Sequence, residues 1–185
     1  MKKVLLYTSF VAALVLGAAR LLDPDGCKDY VRYLSGHEPA VELSFDAISQ
    51  YWDEQALRQA YPGLYFDCND EPSAQRSCYA DIRSYNGLPA MGLVFFLADK
   101  KVQRATVYVP SWYHGRMLKS LIRQVGAPSA IQSEARVGPP LVGWRLADGA
   151  GLFANRDTSL NPLARNAILW IAPRVCATGC WSGKP

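Results

Sequence analysis

Lys2 and Lys3 are followed by a run of 16 uncharged, mostly apolar residues, VLLYTSFVAALVLGAA, which Arg20, Leu21, Leu22 and Asp23 close. This run constrains the chain more than any other feature, because it must be inserted in a membrane, removed, or packed inside a core. A secretory signal needs a basic start, an apolar centre of roughly 7–15 residues and a small-residue cleavage site. Residues 2–19 supply all three, with cleavage after Ala19. A membrane anchor needs roughly 17–25 residues. Residues 4–22 supply that as well if Arg20 reaches back to the headgroups. Both readings point the same way, since the lysines stay in the cytoplasm while Asp23 and Asp25 follow on the far side. Burial in a cytosolic core is disfavoured because the run has no polar face. The chain is therefore expected at the inner membrane facing the periplasm, or periplasmic or secreted if it is cleaved.

The cysteines bear on the same question. In an exported domain the five of them, Cys27, Cys68, Cys78, Cys176 and Cys180, read as disulfide chemistry. Cys68 and Cys78 bracket the polar loop NDEPSAQRS, and a bridge there stabilises by roughly 2–3 kcal/mol in the chain-entropy account. Cys176 and Cys180 enclose Ala177–Thr178–Gly179, a turn that lets them meet and leaves Cys27 over. Alternatively, Cys27 staples the start of the domain to its end through Cys176 or Cys180. No CxxC occurs, and the two histidines, His37 and His114, lie far from any cysteine pair in sequence, so neither a zinc site nor a dithiol redox motif is expected. Asp67–Cys68–Asn69–Asp70–Glu71 begins like a calcium loop. It then places Pro72 where glycine is needed and Cys78 where a bidentate glutamate belongs.

The remaining sequence divides into residues 23–43, a linker or docking segment, 44–175, one α+β domain, and 176–185, a small polar tail. Half of all residues are hydrophobic, which excludes disorder. From Ser44, a plausible N-cap, the apolar positions Phe45, Ile48, Trp52 and Ala56 predict a helix over 45–60, stopped by Pro62–Gly63. Strands follow over 78–85, 91–97 and 102–109, with turns at Asn86–Gly87 and Asp99–Lys100. Ser111 is expected to cap an amphipathic helix with Met117, Leu118, Leu121, Ile122 and Val125 on one face and Arg116, Lys119 and Arg123 on another. Strands over 141–146, 151–155 and 167–172 complete the pattern. The expected fold is thus a helix plus three-stranded antiparallel meander, an element order that recurs (αβββ-αβββ) as a duplication would give. This layout resembles small periplasmic modules such as the beta-lactamase inhibitor protein and the small lipoprotein of outer-membrane assembly. The resemblance is one of layout and carries over no functional residue.

Charge is unevenly divided. Residues 23–85 hold 12 acidic and 5 basic side chains, whereas residues 86–185 hold 4 acidic and 12 basic. A split of this kind suits a partner of opposite sign, or two halves that face each other. The best candidate surface is the basic helix face of Arg116, Lys119 and Arg123, extended by Lys101 and Arg104, which would take an acidic protein patch or an anionic lipid surface. Nucleic acid is a poor partner for an exported chain. Phosphate loops, nucleophile elbows and zinc-protease helices are absent, and no cofactor is expected. The sequence therefore predicts an extracytoplasmic protein-binding module of the bacterial envelope, such as an assembly factor or an inhibitor or immunity-type protein. The alternative is a hydrolase-like envelope enzyme with a site near His114 or the Cys68–Cys78 loop.

Overall fold

The computed structural model describes residues 24–72, 75–132, 140–159 and 161–180, with the side chains of 24–27 and 130–132 left aside. The apolar run, its cleavage site at Ala19 and the tail beyond Cys180 lie outside the described residues. Among the described residues the protein is a mixed α+β structure with four helices and two mostly antiparallel sheets. Helix α1 is Pro24–Ser35, α2 Glu54–Ala60, α3 His114–Val125 and α4 Pro173–Gly179. None of them is long and apolar enough to cross a membrane.

The large sheet holds eight strands: β2 (Asp67–Asp70), β3 (Arg76–Asp81), β6 (Gly92–Ala98), β7 (Lys101–Pro110), β8 (Ala130–Gln132), β9 (Leu141–Arg145), β10 (Gly151–Asn155) and β11 (Arg165–Ile171). Their spatial order is β2-β3-β6-β7-β11-β10-β9-β8. Two four-stranded meanders thus stand side by side, each preceded by a helix, and β7 pairs antiparallel with β11 at the seam. Each meander has one strand more than the three expected. The additions, β2 and β8, are short edge strands that carry little apolar alternation. The small sheet, β1 (Ala40–Val41), β4 (Ser84–Tyr85) and β5 (Leu88–Pro89), ties the segment after α1 to a hairpin closed by Asn86 (φ 46°) and Gly87 (φ 72°). Those left-handed torsions are why an Asn-Gly pair sits there. Asp99 and Lys100 turn the chain between β6 and β7 in the same way, at φ 51° and 60°.

Alternation sorts the sheet into two faces. Leu93, Phe95 and Leu97 of β6, Ala105, Val107 and Val109 of β7, and Ile168 and Trp170 of β11 point into one core with Leu57 of α2 and Met117 and Leu121 of α3. On the opposite face α4 covers the far meander, where Phe153 packs with Cys176 and Cys180 against Leu141, Leu169 and Ile171. Gly151 permits this close approach, since a Cβ there would stand 2.7 Å from the Cys176 sulfur.

Several local expectations are revised. The helix predicted over 45–60 is a single 3-10 turn, Phe45–Ala47, followed by a bend and then α2. Ser44 makes no side-chain cap; Asp53 takes that role, accepting from the Ala56 N–H at 2.9 Å. The chain bends at 49–52, where the Trp52 N–H bonds to the Ser49 carbonyl, and the Trp52 carbonyl then accepts from Val102 of β7. Ser111 does not cap α3 either. A 3-10 turn, Ser111–Tyr113, intervenes, and the Ser111 hydroxyl donates to the Pro162 carbonyl at 2.8 Å. The strand over 78–85 is two strands in different sheets. The tail is partly helical, because Pro173 starts α4 at its first turn.

Both close-range disulfides form. Cys68 and Cys78 face each other across the β2–β3 pair, and Cys176 and Cys180 join across one turn of α4. That second bond removes the alternative in which Cys27 staples to either residue.

Candidate functional site

Helix α3 is held by contacts at both ends and along its inner face. At its start the His114 Nε2–H donates to the Asn155 carbonyl at 3.0 Å; since a carbonyl only accepts, the proton resides on Nε2. At its end the Trp144 indole donates to the Gly126 carbonyl at 2.8 Å. Between them Met117 and Leu121 are fully buried, each contributing about 1.5–3 kcal/mol of burial. The opposite face therefore stands in a fixed orientation, and it carries Arg116, Lys119 and Arg123, all exposed.

These three cations do not stand on an open helix face alone. With Ser120 they form one wall of a cleft of about 140 Å³, whose other wall is the Asn86–Gly87–Leu88 hairpin turn. The turn is itself fixed: the Asn86 side chain accepts from the Leu43 N–H and donates to the Leu43 carbonyl, each at 2.9 Å. Asn86 and the Tyr85 hydroxyl both donate to the Gln124 Oε1 at 3.4 Å, tying the turn to α3. Within the helix Arg123 Nε donates to the Lys119 carbonyl, and the Arg116 guanidinium sits 5.3 Å from the Tyr113 ring centre. Among the described residues no carboxylate forms an ion pair with any of the three.

The other two predicted binding residues lie elsewhere. Lys101 opens β7 and pairs with Asp53 at 3.3 Å. Arg104 is on the sheet face away from α2 and α3, its guanidinium stacked 3.9 Å over the Phe96 ring and its Nε buried with no hydrogen-bond partner. The five residues therefore occupy three places, and only the α3 trio shares a cleft. Sequence reasoning missed Ser120 beside the cations and Asn86, Gly87 and Leu88 as the facing wall. The Asn-Gly pair was readable as a turn, but its packing against α3, more than 30 residues along the chain, had no local signal.

Several charges elsewhere are compensated. Glu54 accepts from Arg58 and Arg76, at 2.9 and 2.8 Å, and those hydrogen bonds hold its carboxyl below the usual range. Asp53 is also lowered, first by the Ala56 N–H it caps and then by Lys101. Asp53–Lys101 and Asp29–Arg165 join the acidic first half to the basic second half.

The chemical alternatives find little support in the geometry. The Ser111 hydroxyl and the His114 ring are each engaged by a backbone carbonyl. The larger clefts, of about 430, 560 and 620 Å³, are lined around Glu42–Asp46, around Glu54, Arg58 and Pro62, and around Asp148, Pro173 and Cys176, and none of the three includes His114. Glu54, Cys68 and Cys78 bring ligand-type atoms within 4.8 Å of one another. The two sulfurs are bonded to each other and the carboxylate is held by two arginines, so this donor set offers no cation site. Compared with protein-family models, with curated proteins and with solved structures, the chain matches none.

Proposed function

We propose that this protein is a non-catalytic binding module of the bacterial envelope, an assembly factor or an inhibitor or immunity-type protein. It acts outside the cytoplasm, anchored through residues 4–22 or released by cleavage after Ala19. Its α3 cleft receives an acidic side-chain cluster of a partner protein. The observation that carries this reading is the trio Arg116, Lys119 and Arg123, which converges on one cleft with no carboxylate among the described residues paired to it. Long cationic side chains on a fixed backbone lose less entropy on binding than the same charges on a loop, and their uncompensated field favours fast encounter. The two disulfides support an oxidising compartment. The recurrence of a helix followed by an antiparallel meander fits a duplicated αβ unit, in which the second copy has acquired the recognition helix.

The test is capture of the partner from solubilised envelope by the wild-type chain and by Arg123→Glu. The variant should recover several-fold less partner, and raising ionic strength should weaken wild-type capture more than that of the variant. Equal recovery at all salt concentrations would end the reading. Flotation with vesicles rich in anionic lipid forms a separate arm; binding there lost in Arg123→Glu, without any protein partner, would replace the protein ligand by a lipid one.

A further inference from the structure

We propose that α1 and Trp112 form a second contact surface that lies in the headgroup layer of the bilayer, an inference that rests on the anchored form of the proposed function, in which residues 4–22 enter the membrane. Three of the six large apolar side chains exposed among the described residues gather here: Val31, Leu34 and Trp112, at 58%, 73% and 53% exposure. Val31 and Leu34 are one turn apart on the outer stripe of α1. Trp112 stacks on Tyr30, the residue preceding Val31, with ring centres 4.7 Å apart. The remaining exposed apolar residues, Tyr51, Tyr65 and Ile122, are scattered on other elements.

The stripe cannot turn inward to bury itself. Tyr30 is buried; its hydroxyl donates to the Ala164 carbonyl at 2.9 Å and accepts from the Ser111 N–H at 3.3 Å. Asp29 pairs with Arg165 and Arg32 with Asp81, fixing α1 on both sides. These pairs also neutralise the two nearest described carboxylates, which would otherwise repel anionic headgroups.

Chain position selects lipid over a protein occupant. On the anchored reading only Asp23 lies between residues 4–22 and Pro24, so α1 would start at the membrane surface. Val31 lies about 10 Å further along the helix axis at 1.5 Å per residue, so it reaches the headgroup layer when α1 lies along the surface. A tryptophan beside a helix that exposes aliphatic side chains suits that layer, its ring among the upper acyl carbons and its indole N–H toward polar groups.

The experiment places the full chain in nanodiscs of phosphatidylethanolamine and phosphatidylglycerol carrying bromine at a shallow acyl position, and reads tryptophan emission. Wild type should be quenched, and Trp112→Phe should lose at least half of that quenching. The emission attributable to Trp112, wild type minus variant, should resist aqueous iodide. Leu34→Ser, which keeps Trp112, should show weaker bromolipid quenching and greater iodide access. Unchanged quenching in Trp112→Phe would overturn the proposal, as would iodide access to Trp112 equal to that of a free indole. Silence toward both quenchers would also overturn it, because protein would then cover the patch. Partner capture through Arg123 is read separately, so either result stands without the other.

Discussion

The two helices on the core face of the sheet bury their apolar sides alike but differ in how their charges are used. Helix α2 has seven residues, and its acidic start is fully occupied: Asp53 caps it and meets Lys101, while Glu54 takes two arginines. Helix α3 has twelve, and its three outward cations meet no carboxylate among the described residues. The charges at the start of α2 are spent on local ion pairs; the α3 cations make only a backbone hydrogen bond and a ring contact beside their own helix, which leaves their charge available for recognition. A charge run read from sequence alone does not separate these cases, because the separation depends on which strand comes to lie beside which helix.

The comparison can be broken first in the core. Leu57→Ala in α2 and Leu121→Ala in α3 should each cost about 2–5 kcal/mol by chemical denaturation, since both side chains are fully buried. A loss under about 1 kcal/mol at Leu121 would mean that α3 is not docked as described. Next come the disulfides. Removing Cys68–Cys78, ten residues apart, should destabilise by roughly 2–3 kcal/mol, and Cys176–Cys180, four apart, by about 2 kcal/mol. Urea midpoints of paired serine variants would check the order.

Smaller effects belong to the compensated charges. Asp53→Ala should lower Tm by about 2–4 °C through the lost cap. Asp53 and Glu54 have lowered folded-state pKa values, so their stabilisation is complete above the unfolded carboxylate pKa of about 4 and is lost as pH falls below it. Wild type should therefore lose more Tm between pH 6 and pH 3 than the Asp53→Asn, Glu54→Gln double variant. A parallel acid profile in the two proteins would show that these carboxyls carry no linkage.

Much of the architecture was legible where local chemistry decides it. A continuous apolar run located β6 and alternation located β7, the Asn86–Gly87 and Asp99–Lys100 pairs located their turns, and short sequence separation pointed to both disulfides. Apolar spacing alone misled over 45–60, where Asp53 competes as a cap and restarts the helix. Helix α4 was hidden because only Val175 and the two cysteines supply its apolar contacts. The pairing of β7 with β11 joins residues more than 50 apart, and no local pattern encodes it. The candidate site was readable as three basic residues at helical spacing; its facing wall depends on tertiary packing.

The central claim is that charge on α2 holds the fold together while charge on α3 holds a partner. Charge reversal at both helices, measured in one preparation for Tm and for partner capture, addresses it directly. Glu54→Lys should lower Tm and leave capture intact, whereas Arg123→Glu should abolish capture and leave Tm within about 1 °C. An Arg123→Glu protein that melts as early as Glu54→Lys yet still captures its partner would contradict the account.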